Sequence, residues 1–308
     1  MKKAFLFLSV FIVVALACDL SVTVAPPTSP APLPTNTIIP VSETSTLIPA
    51  SATPIPATFA PNATTTALQP SFEGVELSVD PLSIVLWPGL ASGVRGSQVP
   101  RAEGQDLPYW GMTPGHTQLT LEGYFLQGKF HEPQIYVYPA QAYAEMVPGA
   151  FESIRRLDNI LYGPGGPISD DQLPTVPFFN AAQVFASNVQ VISFQNGGGV
   201  RFLTEYAQYA ASVNNHDLFY HFQGLTSDGA YYIIAILPIS MPMLAETSDG
   251  GAVLPSGGVP YPDLGNPDAD FQGYYTAVTD LLNATSPEAF APSLNQLDLL
   301  IQSMRITP

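Results

Sequence analysis

The run Tyr231-Tyr232-Ile233-Ile234-Ala235-Ile236-Leu237 is apolar without alternation, and it follows the turn residues Ser227-Asp228-Gly229. A strand with apolar side chains at successive positions is expected to be covered on both faces. The segment from Leu218 to Gln223 precedes the same turn and forms the first arm of a predicted hairpin. This stretch therefore predicts the centre of a sheet with a packed layer on each side.

Further strand and helix signals lie on both sides of this hairpin. A second hairpin is predicted from Val189 to Phe194 and Val200 to Tyr206, and we expect the glycines of its turn, Asn196-Gly197-Gly198-Gly199, to supply positive φ. Helix-like sequence from Ala140 to Leu161 is interrupted at Pro148-Gly149. The remaining strand-like runs are Val75 to Val79, Gln118 to Leu126 and Gln134 to Tyr138.

Two helices are predicted near the end of the chain. Asn266 is a predicted N-cap with Pro267 at the first helical position, and Ser286 with Pro287 repeats this start signal. Two apolar stripes follow at helical spacing: Phe271, Tyr274, Val278 and Leu281, then Leu294, Leu297, Ile301 and Met304. Residues 71–308 are thus predicted to form one α+β domain, an antiparallel sheet with packed helices. An all-β sandwich is the alternative, which the terminal helices disfavour.

The first 17 residues have the organisation of a signal peptide. Lys2 and Lys3 precede an uncharged apolar run that ends at Ala17 and is shorter than the roughly 20 residues of a spanning helix. The stretch Ala15-Leu16-Ala17-Cys18 resembles the lipobox of bacterial lipoproteins, in which the cysteine receives a diacylglyceryl group. The resemblance implies a membrane anchor of acyl chains such as palmitate on Cys18, at the outer face of the cytoplasmic membrane. The alternative is ordinary signal cleavage, with Cys18 present by chance.

Residues 18–70 differ in composition from the rest of the chain. They consist almost entirely of Pro, Thr, Ser and Ala, and only Asp19 and Glu43 are charged. Such a segment cannot bury a core and favours extended polyproline geometry. It is predicted to be a disordered linker between the lipid and the domain.

Charge and cysteine content exclude several classes of function. After residue 17 the chain has 7 basic and 25 acidic side chains, a formal charge of −18. A surface of this sign repels phosphate backbones, so nucleic acid is excluded, whereas an envelope protein, a sugar or a cation is a compatible partner. Cys18 is the only cysteine, which excludes disulfides and cysteine zinc sites. The oligomeric state is left open.

Two segments carry a resemblance to known proteins. Together with the anchor and linker, Gly198 to Tyr206 and Phe222 to Gly229 resemble uncharacterised exported lipoproteins of environmental bacteria. The order of elements, which ends in Leu297 to Met304, is similar to Mog1/PsbP-like domains. Neither resemblance implies a catalytic residue.

No named hydrolase or phosphate-binding motif is present, so the candidate catalytic residues are single side chains. On the strand that begins at Asp217, alternation places Asp217 and His221 on one face. A carboxylate beside an imidazole can orient a general base or a metal ligand. His116 is the other candidate, in a predicted loop before a strand. For all three, a purely structural role is the simpler interpretation.

The acidic segment 263–270 is the candidate metal site. Asp263, Asp268 and Asp270 supply oxygen ligands of the kind that calcium prefers, although the EF-hand spacing is absent. The same residues also suit a helix start, where acids face the helix dipole. Capping is the interpretation that we favour, and no cofactor other than calcium is indicated.

Three functions remain compatible with the sequence. The absence of catalytic motifs favours a non-catalytic surface domain that binds a ligand or an envelope protein. The alternatives are an extracellular hydrolase that uses carboxylates or His221, and a structural or adhesive module without a pocket.

Overall fold

A computed structural model describes residues 74–307, and the predicted signal peptide, Cys18 and the linker lie outside them. The strands are β1 (Val75–Val79), β2 (Leu82–Leu86), β3 (Gly93–Val99), β4 (His116–Glu122), β5 (Gln134–Pro139), β6 (Ala182–Gln183), β7 (Ser187–Phe194), β8 (Gly197–Thr204), β9 (Tyr206–Ala207), β10 (Phe219–Thr226), β11 (Tyr231–Pro238) and β12 (Arg305–Ile306). The α-helices are α1 (Ala140–Met146), α2 (Pro148–Tyr162), α3 (Phe271–Ala284) and α4 (Leu294–Ser303).

The main sheet has seven antiparallel strands in the order β3-β4-β5-β11-β10-β8-β7. Two smaller sheets, β1-β2-β12 and β6-β9, complete the strands of the described residues. Together with the helices they form the predicted α+β fold, and the all-β alternative is wrong. No helix within residues 74–307 is both long and apolar enough to cross a bilayer.

Both faces of β11 are covered, as the apolar run predicts. Ile233, Ala235 and Leu237 pack into the core that α3, α4 and β2 share, and Tyr232 and Ile234 pack into a second core on the opposite face, under α1 and α2. Side chains alternate across a strand, so a continuous apolar run supplies both cores. The central hairpin is therefore the inner layer of a three-layer arrangement.

The glycines of the first hairpin have a different role from the predicted one. The turn consists of Gln195 and Asn196, and Gly197 to Gly199 lie within β8 without positive φ. A Cβ on Gly199 would overlap the ring of Phe222 on the neighbouring strand. These glycines permit close packing inside the sheet, whereas Gly229 in the second hairpin has the expected positive φ of 70°.

Both C-terminal helices begin later than predicted. The N-cap of α3 is Asp270, whose side chain accepts from the backbone N–H of Gly273, and the N-cap of α4 is Ser293. Asn266 instead accepts from the backbone N–H of Asp268 in a local turn. Ser286 precedes only a short 3₁₀ turn, Pro287–Ala289. Asn and Ser next to proline favour turns as well as caps, which explains both errors.

Candidate functional site

One end of the main sheet carries the long connections of the domain. Strands β4, β8 and β11 end there, and β5 and β10 begin there, because all neighbours are antiparallel. Residues 123–133 connect β4 to β5, and residues 239–270 connect β11 to α3. Residues 205–218, which include the short strand β9, connect β8 to β10. We call this region the loop end. Binding residues are commonly found on such connections, where a rigid sheet holds them in place.

A buried amide holds the longest of these connections to segment 205–218. The side chain of Asn215 is 3% exposed, and its oxygen accepts from the backbone N–H of Met241 at 2.8 Å. Its nitrogen donates to the carbonyls of Met241 and Leu244, both at 3.2 Å, and to Glu246 Oε1 at 3.1 Å. The start of segment 239–270 is thereby fixed although it contains no helix or strand.

A cavity of about 430 Å³ lies at the loop end, lined by residues of segments 212–213 and 245–264 and by Tyr274 of α3. We call it the tyrosine cavity. The rings of Tyr261 and Tyr274 have centroids 5.0 Å apart and an interplanar angle of 85°. The two rings therefore pack edge to face, and both residues line the cavity. The rest of the wall is mainly apolar, with hydroxyl groups and two aspartates as its polar groups.

Hydrogen bonds from tyrosines fix the inner wall of the tyrosine cavity. The hydroxyl of Tyr274 accepts from the backbone N–H of Val213 at 3.0 Å, and those of Tyr261 and Tyr275 donate to the carbonyls of Ala210 and Ala211. Burial raises the pKa of Tyr274 to about 12. The phenol is therefore neutral at pH 7 and retains a proton that it can donate.

The two aspartates of the tyrosine cavity have no cationic partner among the described residues. Asp249 accepts from the hydroxyl of Thr247 at 3.0 Å, and Asp263 accepts from the backbone N–H of Gly265 at 2.9 Å. None of the ion pairs of residues 74–307 includes either one. No Lys, Arg, His, Asn or Gln lines the cavity. Among the described residues, Asp249 and Asp263 are therefore the only charged side chains that line the cavity.

A hydrogen-bonded polar chain lies beside the tyrosine cavity. His216 Nδ1 is 2.6 Å from Asp217 Oδ1, and Asp217 Oδ2 accepts from Asn214 Nδ2 at 2.9 Å. The backbone N–H of Asn214 donates to the carboxyl of Glu205 at 3.3 Å. Burial raises the pKa of Glu205 well above its ordinary value. The side chain of His216 is 40% exposed, so solvent reaches its imidazole.

The structure does not bring Asp217 and His221 together as a pair. Asp217 precedes β10 and bonds to His216, whereas the fully buried His221 donates from Nε2 to the carbonyl of Val176 at 3.1 Å. Burial lowers the pKa of His221 to about 3. Its Nδ1 has no hydrogen-bond partner within the described chain. A neutral, enclosed imidazole has no access to a substrate.

His116 also lies in a packed environment. It is the first residue of β4 rather than a loop residue, and its Nδ1 donates to the carbonyl of Pro114 at 2.8 Å. Its ring lies 4.3 Å, centroid to centroid, from that of Tyr138. Burial lowers its pKa. His116 is therefore a buried residue whose ring packs against an aromatic neighbour.

The three aspartates of segment 263–270 have separate positions. Asp263 lines the tyrosine cavity, Asp268 is exposed, and Asp270 caps α3. Within residues 74–307, no group of three or more His, Cys, Asp or Glu side chains is placed to hold a metal ion. The capping role thus belongs to Asp270 and not to Asn266.

A second cavity, of about 460 Å³, lies between α2 and residues 164–172. It contains Arg155 and Arg156, two of the seven basic residues after Cys18. Both bond to Glu152, Arg155 with two contacts of 2.9 and 2.7 Å and Arg156 with one of 3.2 Å. Because Glu152 already pairs with both guanidinium groups, this cavity is a poorer anion site than its arginines suggest.

Sequence reasoning missed the tyrosine cavity and His216. The cavity joins residues 212 and 274, which are far apart in the chain, and the irregular path of segment 239–270 has no periodic signal. For His216, the sequence Asn214-Asn215-His216-Asp217 was the available signal, since Asn and Asp favour turns in which side chains bond to nearby groups. Comparisons with protein-family models, curated proteins and solved structures found no match to this chain. Function is therefore inferred from the residues of the loop end.

Proposed function

We propose that this chain is a lipoprotein, anchored through Cys18 outside the cytoplasmic membrane, whose domain binds a small molecule in the tyrosine cavity. A single observation supports the binding role, namely the tyrosine cavity itself. This cavity has a volume of about 430 Å³ and a mainly apolar wall with two perpendicular tyrosines and a few polar groups. Ligand sites are typically concave, of about 300 to 1,000 Å³, and mostly apolar with a few polar groups that orient the ligand. The anchor rests on the lipobox resemblance of residues 15–18.

The hydrogen-bonded walls support a preformed site. Segment 210–213 is bonded to three tyrosine hydroxyls, and Asn215 fixes the segment that follows β11. A site that is already ordered loses less conformational entropy when its ligand binds. Binding at the loop end is therefore compatible with little movement of the sheet.

The alternative, hydrolysis, rests on the His216–Asp217 pair. An imidazole oriented by a carboxylate is the arrangement of many general bases. Against it, no Ser, Thr or Tyr hydroxyl hydrogen-bonds to His216 within residues 74–307, and the candidate His221 is enclosed. The binding role is therefore the better supported one.

A thermal-shift screen of the mature chain tests the proposal. The panel contains neutral sugars, amino acids and organic cations, and turnover of each compound is followed in parallel. A true ligand at 100 times its dissociation constant stabilises the fold by about 2.7 kcal/mol. We expect Ala252→Trp, which fills the cavity, to abolish the shift. Val253→Trp is the matched control, because Val253 is 83% exposed and does not line the cavity.

Two results would contradict this function. The first is a shift that persists unchanged in Ala252→Trp, which would place the ligand elsewhere. The second is turnover of a panel compound that depends on His216, which would favour the hydrolase.

A further inference from the structure

We propose that the ligand of the tyrosine cavity is a small quaternary ammonium compound. The inference rests on the proposed binding function and names its ligand class. It starts from charge: Asp249 and Asp263 line the wall without a cationic partner in the described residues. A bound cation would supply the missing positive charge, whereas an anion would meet two carboxylates.

The aromatic surfaces point to the same class. Tyr261 and Tyr274 present perpendicular rings 5.0 Å apart on one wall of the cavity. The face of an aromatic ring attracts a cation within about 6 Å of its centroid, and tyrosine rings recur in sites for quaternary ammonium groups. A cavity lined by both carboxylates and aromatic rings is the combination that such a group favours.

The apolar part of the wall separates a quaternary cation from other ligands. A primary ammonium has three N–H donors that each need an acceptor when it leaves water, whereas most of the residues that line this cavity are apolar. A quaternary ammonium has no donors, and its methyl groups suit Leu254, Val259 and Leu264. A neutral sugar fits less well, since it would leave the charges of Asp249 and Asp263 without a counter-charge.

The test compares choline with its uncharged isostere 3,3-dimethylbutan-1-ol, by calorimetric titration of the mature chain at constant ionic strength. We expect choline to bind at least about tenfold more tightly, since the two differ only in charge. Asp263→Asn and Asp249→Asn should each weaken choline several-fold. Asp268→Asn is the matched control, because all three aspartates are exposed and Asp268 does not line the cavity.

Ring variants provide a second arm that does not change charge. Tyr261→Phe keeps the ring and loses only the bond to Ala210, so choline binding should survive, whereas Tyr261→Leu should lose it. If Tyr261→Leu fails to fold, the charge variants still decide the outcome. Equal affinity for choline and the alcohol, or choline binding that Asp263→Asn leaves unchanged, would contradict the proposal that the ligand is a cation. Binding of the alcohol or a panel sugar that Ala252→Trp abolishes would keep the cavity as a ligand site, and no binding by any compound would reject both proposals.

Discussion

Buried titratable side chains next to the loop end affect stability in opposite pH ranges. His221 is fully buried, and its pKa is lowered to about 3 from an ordinary value of 6.5. Above pH 6.5 it is neutral in the folded and unfolded chain alike. Below pH 6.5 this imidazole becomes protonated in the unfolded chain but stays neutral in the folded chain. The free energy of unfolding therefore falls as pH decreases from 6.5 toward 3.

His221→Gln should reduce this sensitivity to acid, because glutamine can still donate to the carbonyl of Val176 but does not titrate. Each pH unit in the window costs the wild type up to about 1.4 kcal/mol from His221. His131, whose pKa burial lowers to about 4, remains in both proteins and cancels in the difference. Urea unfolding at pH 7, 6, 5 and 4 measures the slopes. Parallel slopes would show that His221 titrates normally.

The contribution of Glu205 to stability changes with pH in the opposite direction. Burial raises its pKa well above the ordinary 4.5, so its carboxyl stays protonated while the unfolded chain ionises. Stability from this group is fully present below pH 4.5 and declines as pH rises through the folded pKa. Glu205→Gln should therefore gain stability relative to the wild type as pH rises above 4.5, by up to about 1.4 kcal/mol per pH unit until the folded carboxyl ionises. Denaturant unfolding of both proteins at pH 4, where both side chains are neutral, is the control. A constant difference at all pH values would contradict the assignment.

At the scale of secondary-structure elements, the start of α3 shows that local sequence signals alone do not determine where a helix begins. Asn266-Pro267 has the composition of a cap, yet the helix begins four residues later at Asp270. The intervening residues instead form turns that Asp263 and Asn266 support. Both outcomes satisfy the same local preferences of Asn, Asp and Pro, and only packing of Tyr274 and Val278 against the core decides between them.

Asp270→Ala should destabilise the domain by about 1 kcal/mol, because it removes the acceptor for the backbone N–H of Gly273 at 2.7 Å. Asn266→Ala is the matched comparison, since it removes one acceptor from an exposed turn and should cost a few tenths of a kcal/mol at most. Urea unfolding at pH 7 measures both. A larger loss in Asn266→Ala than in Asp270→Ala would restore the helix start expected from the sequence.

How much of this fold can be predicted depends on which patterns in the sequence are periodic. The apolar run of β11 and the stripe of α4 indicate which side chains are buried, and the structure agrees with both. Gly197 to Gly199 were misassigned because a glycine required by a close neighbour on the next strand looks the same in sequence as one required by a turn. The tyrosine cavity was not predictable, since it depends on the path of segment 239–270.

At the scale of the molecule, the acidic composition and the predicted anchor act together. The charge of −18 after residue 17 repels anionic headgroups, so surface attraction alone would not hold this domain at such a membrane. A covalent lipid removes that requirement. The lipobox resemblance at residues 15–18 is therefore the feature on which the proposed location depends, and it lies outside the described residues.

Cys18→Ser should release the protein from the membrane or leave an uncleaved precursor, because a serine hydroxyl cannot replace the thiol that receives the diacylglyceryl group. Each buried CH₂ contributes about 0.8 kcal/mol, so two or three acyl chains hold a protein where one would dissociate. Membrane fractionation followed by intact-mass measurement tests this, and the wild type should show an acylated Cys18 as its first residue. A substitution elsewhere in the linker, such as Thr35→Ser, is the control and should remain anchored. Membrane-bound mature protein with an unmodified Cys18 would refute the anchor while leaving the tyrosine cavity and its ligand untouched.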